Sequence, residues 1–89
     1  MRLRWSRPAS EHLIAIHDYI AGDNPDSAAE VVERLIQAAE RLSAHPNLGR
    51  PGKVKHTREL IVAPYILVYR VVQDTVNIEA VLHGRRKYV

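Results

Sequence analysis

The residue types best suited to chemistry gather at three places. The first is the C-terminal run His83-Gly84-Arg85-Arg86-Lys87-Tyr88. A His, two Arg and a Tyr in one short segment could supply a general acid or base. They could also stabilise the charge that builds up in phosphodiester cleavage. The plain alternative is a charged, solvated tail. The second place is the loop Arg50-Pro51-Gly52-Lys53-Val54-Lys55-His56, followed by Arg58, the densest cationic stretch of the chain. It could follow a phosphate backbone, or it could simply be a solvated loop. It lacks the interleaved aromatics on which single-stranded bases stack. The third is Arg70, alone among Val and Ile. Its planar fork suits a phosphate or carboxylate, but a structural ion pair is the plainer account of it.

Other chemistries find little support. The five histidines stand at 12, 17, 45, 56 and 83. His12 and His17 are five apart, and on a helix that spacing faces two side chains together poorly. No metal site is expected, and no cofactor. The chain has no cysteine, so disulfides and thiolate metal sites are excluded. There is no Gly-rich phosphate loop and no nucleophile elbow. No apolar run approaches the roughly 20 residues that cross a bilayer. The opening Met1-Arg2-Leu3-Arg4-Trp5 does not resemble a secretory signal. The expectation is a cytoplasmic protein with no membrane partner.

These groups must be positioned by one small domain spanning residues 1–89, with a correspondingly small core. Charge is unevenly spread. Residues 1–7 carry +3, residues 8–48 carry −5 and residues 49–89 carry +5. An acidic helical layer and a basic second half follow from that split. Basic surface suits nucleic acid or an acidic protein, and charge alone does not choose.

Arg2–Trp5 reads as a short strand. Ser6 can cap a helix over about residues 8–21, with Pro8 in its first turn and Gly22 as its stop. Its apolar stripe is Ala9, Leu13, Ile16 and Ile20. Asn24-Pro25 opens a second helix, about 25–44, striped by Ala28, Val32, Leu35, Ala39 and Leu42 and ended by His45-Pro46. The Gly- and Pro-containing linker Asn47–Gly52 reads as irregular. Beyond it the period switches to strands at Arg58–Val62, Tyr65–Val72 and Thr75–Leu82, with turns at Ala63-Pro64 and Gln73-Asp74. The order β-α-α-β-β-β implies an α+β fold, with an N-terminal helical hairpin packed on one face of a mainly antiparallel sheet.

Register can be pushed further. A two-residue loop at Gln73-Asp74 sets Val72 opposite Thr75. Tyr65, Leu67, Tyr69 and Val71 then share the helix-covered face with Val76, Ile78, Ala80 and Leu82. The opposite face would carry Ile66, Val68, Arg70 and Val72 beside Thr75, Asn77, Glu79 and Val81. Glu59 and Ile61 join it if Ala63-Pro64 is also a two-residue loop. On that face Arg70 lies opposite Asn77 and near Glu59 and Glu79. Exposed Ile66, Val68 and Val81 would be a liability for a solitary monomer.

Taken together, these stretches resemble the ParE/RelE superfamily of toxins from type II toxin–antitoxin pairs. The resemblance is carried by Trp5-Ser6 with Ala9, Asp18-Tyr19-Ile20, Asn24-Pro25 with Ala28-Ala29, and Leu42 with His45-Pro46. It continues through Leu48-Gly49-Arg50-Pro51-Gly52, Thr57-Arg58-Glu59-Leu60 and Tyr65 with Leu67-Val68-Tyr69-Arg70-Val71. It ends at Val81-Leu82-His83-Gly84-Arg85-Arg86. Arg58-Glu59-Leu60 and Leu82-His83-Gly84-Arg85-Arg86 are closer to the ParE branch. ParE-like toxins are associated with poisoning DNA gyrase. RelE-like toxins cleave mRNA on the ribosome, using basic residues of the exposed sheet face and a Tyr, Arg or His near the C-terminus.

What the resemblance implies is a toxin neutralised by a cognate antitoxin in a hetero-oligomer, aimed at gyrase. The alternative is a ribosome-dependent mRNA endonuclease. A third reading is a toxin fold that has lost toxicity and only binds its partner. RelE-like nucleases often place Arg just before the Leu-Val-Tyr of the central strand, where this chain has Ile66, and their Lys-rich second strand is replaced by Glu59, Leu60 and Ile61. Only His83, Arg85, Arg86 and Tyr88 keep catalytic types. For contact with target or antitoxin, the candidates are Arg58, Arg70, Arg85 and Arg86 with Ile66, Val68 and Val81.

Overall fold

A computed structural model describes residues 1–84. Strand β1 (Arg2–Trp5) leads into helices α1 (Arg7–Ala21) and α2 (Pro25–Ala44). Strands β2 (Arg50–Pro51), β3 (Arg58–Val62), β4 (Tyr65–Val72) and β5 (Thr75–His83) follow. They form one sheet in the order β1-β5-β4-β3-β2. Only β1 and β5 pair in parallel; the other neighbours are antiparallel. The helical hairpin covers one face, as the α+β reading expects.

The helix boundaries follow local chemistry. Ser6 caps α1, its side-chain oxygen accepting the Ala9 amide at 3.1 Å, and Asn24 caps α2 by accepting from Ser27 at 3.1 Å. Gly22 ends α1 in the right-handed region (φ −58°), not in the left-handed geometry usual for a terminating glycine. The core joins Ala9 of α1 and Leu35, Ala38, Ala39 and Leu42 of α2 to Leu67, Tyr69, Val76, Ile78 and Val81 of the sheet. Leu3, Trp5, Leu13 and Ile16 flank it.

Two expectations need correction. The linker is not wholly irregular, because Arg50 and Pro51 pair with Glu59 and Arg58 as a fifth, two-residue strand. The β4–β5 register also holds only near the turn. Val72↔Thr75 through Tyr69↔Ile78 pair as expected, but Val68 pairs with Ala80, Leu67 with Val81 and Ile66 with Leu82. Glu79 is an extra residue, a β-bulge. Past it every β5 side chain changes face. Val81 therefore enters the core, 4% exposed, and Ala80 and Leu82 move to the outer face.

The bulge is held from the helical side. The Ser6 amide donates to the Ile78 carbonyl at 2.9 Å, and the Ser6 hydroxyl donates to the Glu79 carbonyl at 3.2 Å. The Val81 amide donates to His12 Nδ1 at 3.1 Å. Backbone groups that an irregular ladder would orphan thus find partners at the start of α1.

Candidate functional site

The outer sheet face, away from the helices, collects most of the candidate side chains. Pairing puts Arg70 beside Asn77, Val68 beside Glu59, and Ile66 beside Ile61 and Leu82. Arg50 sits opposite Glu59. In the parallel pair, Arg2 lies beside Thr75 and Arg4 beside Asn77. Four Arg from three strands therefore share this face, with two Glu between them.

The acids answer half of the cations. Arg70 Nε donates to Glu79 at 3.0 Å, so the bulge residue supplies the partner. Arg50 donates from Nε and Nη2 to one Glu59 oxygen, at 3.3 and 3.1 Å. Glu59 is only 5% exposed, so its charge is spent inside the protein. Arg2 and Arg4 are exposed and make no ion pair among the described residues. Strand alternation already placed them together on one face, but the sequence reading did not take them up as site residues.

Arg58 is separate. It pairs with Tyr69 on the helix-facing side, and its Nη1 donates to the Gly49 carbonyl at 2.7 Å. Tyr69 is fully buried. Its hydroxyl donates to the Pro46 carbonyl at 2.7 Å and accepts from the Gly49 amide at 2.9 Å. Desolvation raises the phenol's pKa above its ordinary value, against smaller lowering effects from the Gly49 hydrogen bond and the Arg58 charge. A Cβ at Gly49 would lie 2.7 Å from the Tyr69 ring and hydroxyl and 2.8 Å from the Glu59 carbonyl. Arg58 thus clamps a loop to the core and does not join Arg70.

The aliphatic candidates divide. Val68 is half-buried on the outer face, while Ile61 and Val72 nearby are 54% and 47% exposed. Ile66 lies on that face but is not exposed. At 8% it lines a shallow hollow of about 310 Å³, bordered by Arg50, Ile61, Pro64, His83 and Gly84. Val81 has left the face altogether because of the bulge. His83 ends β5 opposite Tyr65, their rings edge to face at 5.6 Å. Arg85, Arg86 and Tyr88 lie outside the described residues. Among the described residues no cluster of His, Asp or Glu could hold a metal, and no helix is long and apolar enough to cross a membrane.

Comparison with known proteins fits this architecture. Residues 3–88 match the family described as ParE toxin of type II toxin–antitoxin system, parDE. The chain is 44% identical to the Y4kP protein of Sinorhizobium fredii, covering 98% of this chain and 92% of that one. It is 33% identical to toxin RelE2 of Caulobacter vibrioides, over 92% of this chain and 93% of the relative. Among solved structures, a chain of the chromosomal ParDE toxin–antitoxin system from P. aeruginosa superposes with a TM-score of 0.83 at 28% identity, covering 93% of this chain and 95% of that one. A chain of the RelBE2 toxin–antitoxin complex from Mycobacterium tuberculosis gives a TM-score of 0.65 at 28% identity, over 92% and 95%. With the two-helix layer, the sheet order and this match over nearly its whole length, the chain belongs to the ParE toxin family of type II toxin–antitoxin systems.

Proposed function

We propose that this toxin acts by binding a protein target, DNA gyrase, and that a cognate antitoxin holds it inactive. The observation that carries the reading is the pairing on the outer face. Both of its carboxylates are committed to its arginines, Glu79 to Arg70 and Glu59 to Arg50. Val68 lies between them, and the exposed Ile61 and Val72 flank the pairs along β3 and β4. The face's two unopposed cations, Arg2 and Arg4, stand on the edge strand β1, and the centre of the sheet is a poor cradle for a phosphodiester, which needs unopposed cations at the reacting phosphate. It suits a protein interface, in which apolar area is ringed by paired charges. Gyrase as the target rests on the resemblance to the ParE branch. The antitoxin rests on family membership and on the solved complexes of the relatives.

The second reading, a ribosome-dependent mRNA endonuclease, is favoured by the relative named RelE2 and by the retention of His83 at the end of β5. One experiment separates the two. On expression, transcript integrity and plasmid supercoiling are followed side by side. The gyrase reading expects intact mRNA, impaired supercoiling by purified gyrase, and filamentous, non-dividing cells. Cleavage of ribosome-bound message that falls about 10²–10⁴-fold in His83→Ala, Arg85→Ala or Tyr88→Phe would replace it with the nuclease.

A further inference from the structure

The outer face is not flat. Where β4 begins and β5 ends it carries the shallow hollow of about 310 Å³. Ile66 lies lowest in it, 8% exposed. Ile61 stands directly opposite on β3 and is 54% exposed, so one wall is aliphatic and open to solvent. Tyr65 and His83 border the hollow with their rings edge to face at 5.6 Å. The Gly84 amide donates to the Pro64 carbonyl at 2.6 Å and ties two segments of the rim together. Strand pairing and this bond hold the hollow open before anything binds, so little ordering is left to be done on binding.

The lining selects the occupant. No carboxylate of the described residues lines the hollow, and most of its surface is aliphatic or aromatic. Arg50 stands on the rim with its side chain 57% exposed. Both of its bonds to Glu59 leave from the Nε–Nη2 edge. The Nη1 end of the fork can therefore donate to a second carboxylate. Glu59 already fixes the guanidinium, so that second bond costs little rotamer freedom. A free small molecule would be poorly enclosed here, because ligand sites bury most of what they bind. A side chain carried in on a protein surface needs no deeper walls, since that surface closes the hollow. Interface energy concentrates in such seated anchors.

We propose that the hollow seats one bulky aliphatic or aromatic side chain of the protein target, with a neighbouring carboxylate of the target on Arg50. This rests on the protein-target reading above. Ile66 and Ile61 make the apolar contact, and Arg50 makes the charged one. The pair sets which surfaces fit: an apolar side chain without an acid beside it leaves Arg50 unanswered, and an acid alone leaves the hollow empty. Val72, exposed on the same face, lies six residues along β4 from Ile66, about 20 Å away at the rise of a strand, and is outside the anchor.

The test measures the affinity of the full toxin for purified DNA gyrase. Ile61→Asp sets a carboxylate in the apolar wall and should weaken binding about tenfold or more, with the chain still folded. Val72→Asp puts the same charge on the same face outside the hollow and should cost less than about threefold. The double variant Arg50→Gln/Glu59→Gln removes both charges, so that no buried acid is left unpaired. It should weaken binding about threefold or more and flatten its dependence on salt. If Ile61→Asp fails to fold, Ile61→Ala should show a loss in the same direction, smaller in size. Unchanged affinity in the Ile61 variants or in the double variant, or an equal loss at Val72→Asp, would overturn the anchor while leaving the target reading intact. Affinity lost for the antitoxin but kept for gyrase would give the hollow to the antitoxin and end the proposal. A wild-type toxin that does not bind gyrase would sink the target reading as well.

Discussion

The two halves of the β4–β5 hairpin contrast with each other. Next to the turn, Tyr69–Val72 and Thr75–Ile78 pair in simple alternation, and the sequence pattern alone places every side chain on its face. Beyond Glu79, Tyr65–Val68 and Ala80–His83 pair one residue out of step. The near half is local, a turn with apolar and polar residues in strict order. The far half is set by contacts from distant sequence: the Ser6 hydroxyl lies 73 positions from Glu79 and His12 lies 69 from Val81. Alternation assigns faces only as far as the next bulge, and a bulge is a tertiary decision.

The largest test asks whether both halves share one core. Leu67 belongs to the far half and is fully buried against the helices, as is Leu35 of α2. Leu67→Ala and Leu35→Ala should each cost about 2–5 kcal/mol in chemical denaturation. A loss well below this at Leu67, with full loss at Leu35, would mean the far half packs loosely.

Tyr69 sits at the border between the halves and ties both to the loop after α2. Tyr69→Phe keeps the ring but strands the Pro46 carbonyl and the Gly49 amide, at a cost of about 1–3 kcal/mol. The wild type should carry an alkaline signature as well. Burial raises the phenol's pKa above its ordinary 10.0, so the folded chain holds this proton more tightly than the unfolded one. Its contribution is fully present below pH 10 and is lost as pH rises from there through the folded-state pKa. Urea midpoints measured across that range should fall in the wild type, and the part due to Tyr69 should be missing in Tyr69→Phe.

Val81 and Leu82 test the bulge itself. A regular ladder buries Leu82 and exposes Val81; the observed one buries Val81 and leaves Leu82 half-buried on the outer face. Val81→Ala should therefore cost about 1–2 kcal/mol for two buried methyl groups, more than Leu82→Ala despite the smaller side chain. Equal losses, or a larger one at Leu82, would restore the regular register. His12→Ala should act in the same direction by leaving the Val81 amide without its acceptor.

Much of this fold was legible in the sequence because its signals are local. Ser6 and Asn24 cap the two helices, and Pro25 stands at the start of the second, where the chain predicts them. Of the 3.6-residue stripes, Ala9, Leu13, Ile16, Ala28, Leu35, Ala39 and Leu42 lie in or against the core, whereas Ile20 and Val32 do not and Val31 packs there instead. The candidate site was less legible. Arg70 was placed opposite Asn77 and near Glu79, and both placements hold. Arg2 and Arg4 join it only through the parallel β1–β5 pair, between ends of the chain that no local pattern connects. Val81 was lost to the bulge, and Arg58 lies on the opposite face, as its alternation with Glu59 requires.

The smallest expected effect concerns Arg70, where structure and function make different demands. Its pair with Glu79 spans the border of the two halves, with the side chains 32% and 37% exposed. Solvent screening at that exposure leaves little net stabilisation. A double-mutant cycle over Arg70→Ala and Glu79→Ala should give a coupling below about 1 kcal/mol. If the pair exists only to complete the sheet, growth inhibition on expression should also change little in either single variant. If Arg70 instead anchors the target, Arg70→Ala should abolish growth inhibition while the chain stays folded. Glu79→Ala, which frees the guanidinium, should retain inhibition. Loss of inhibition in both variants at unchanged stability would mean that the pair acts as a unit, and that Glu79 matters through the geometry it imposes on Arg70.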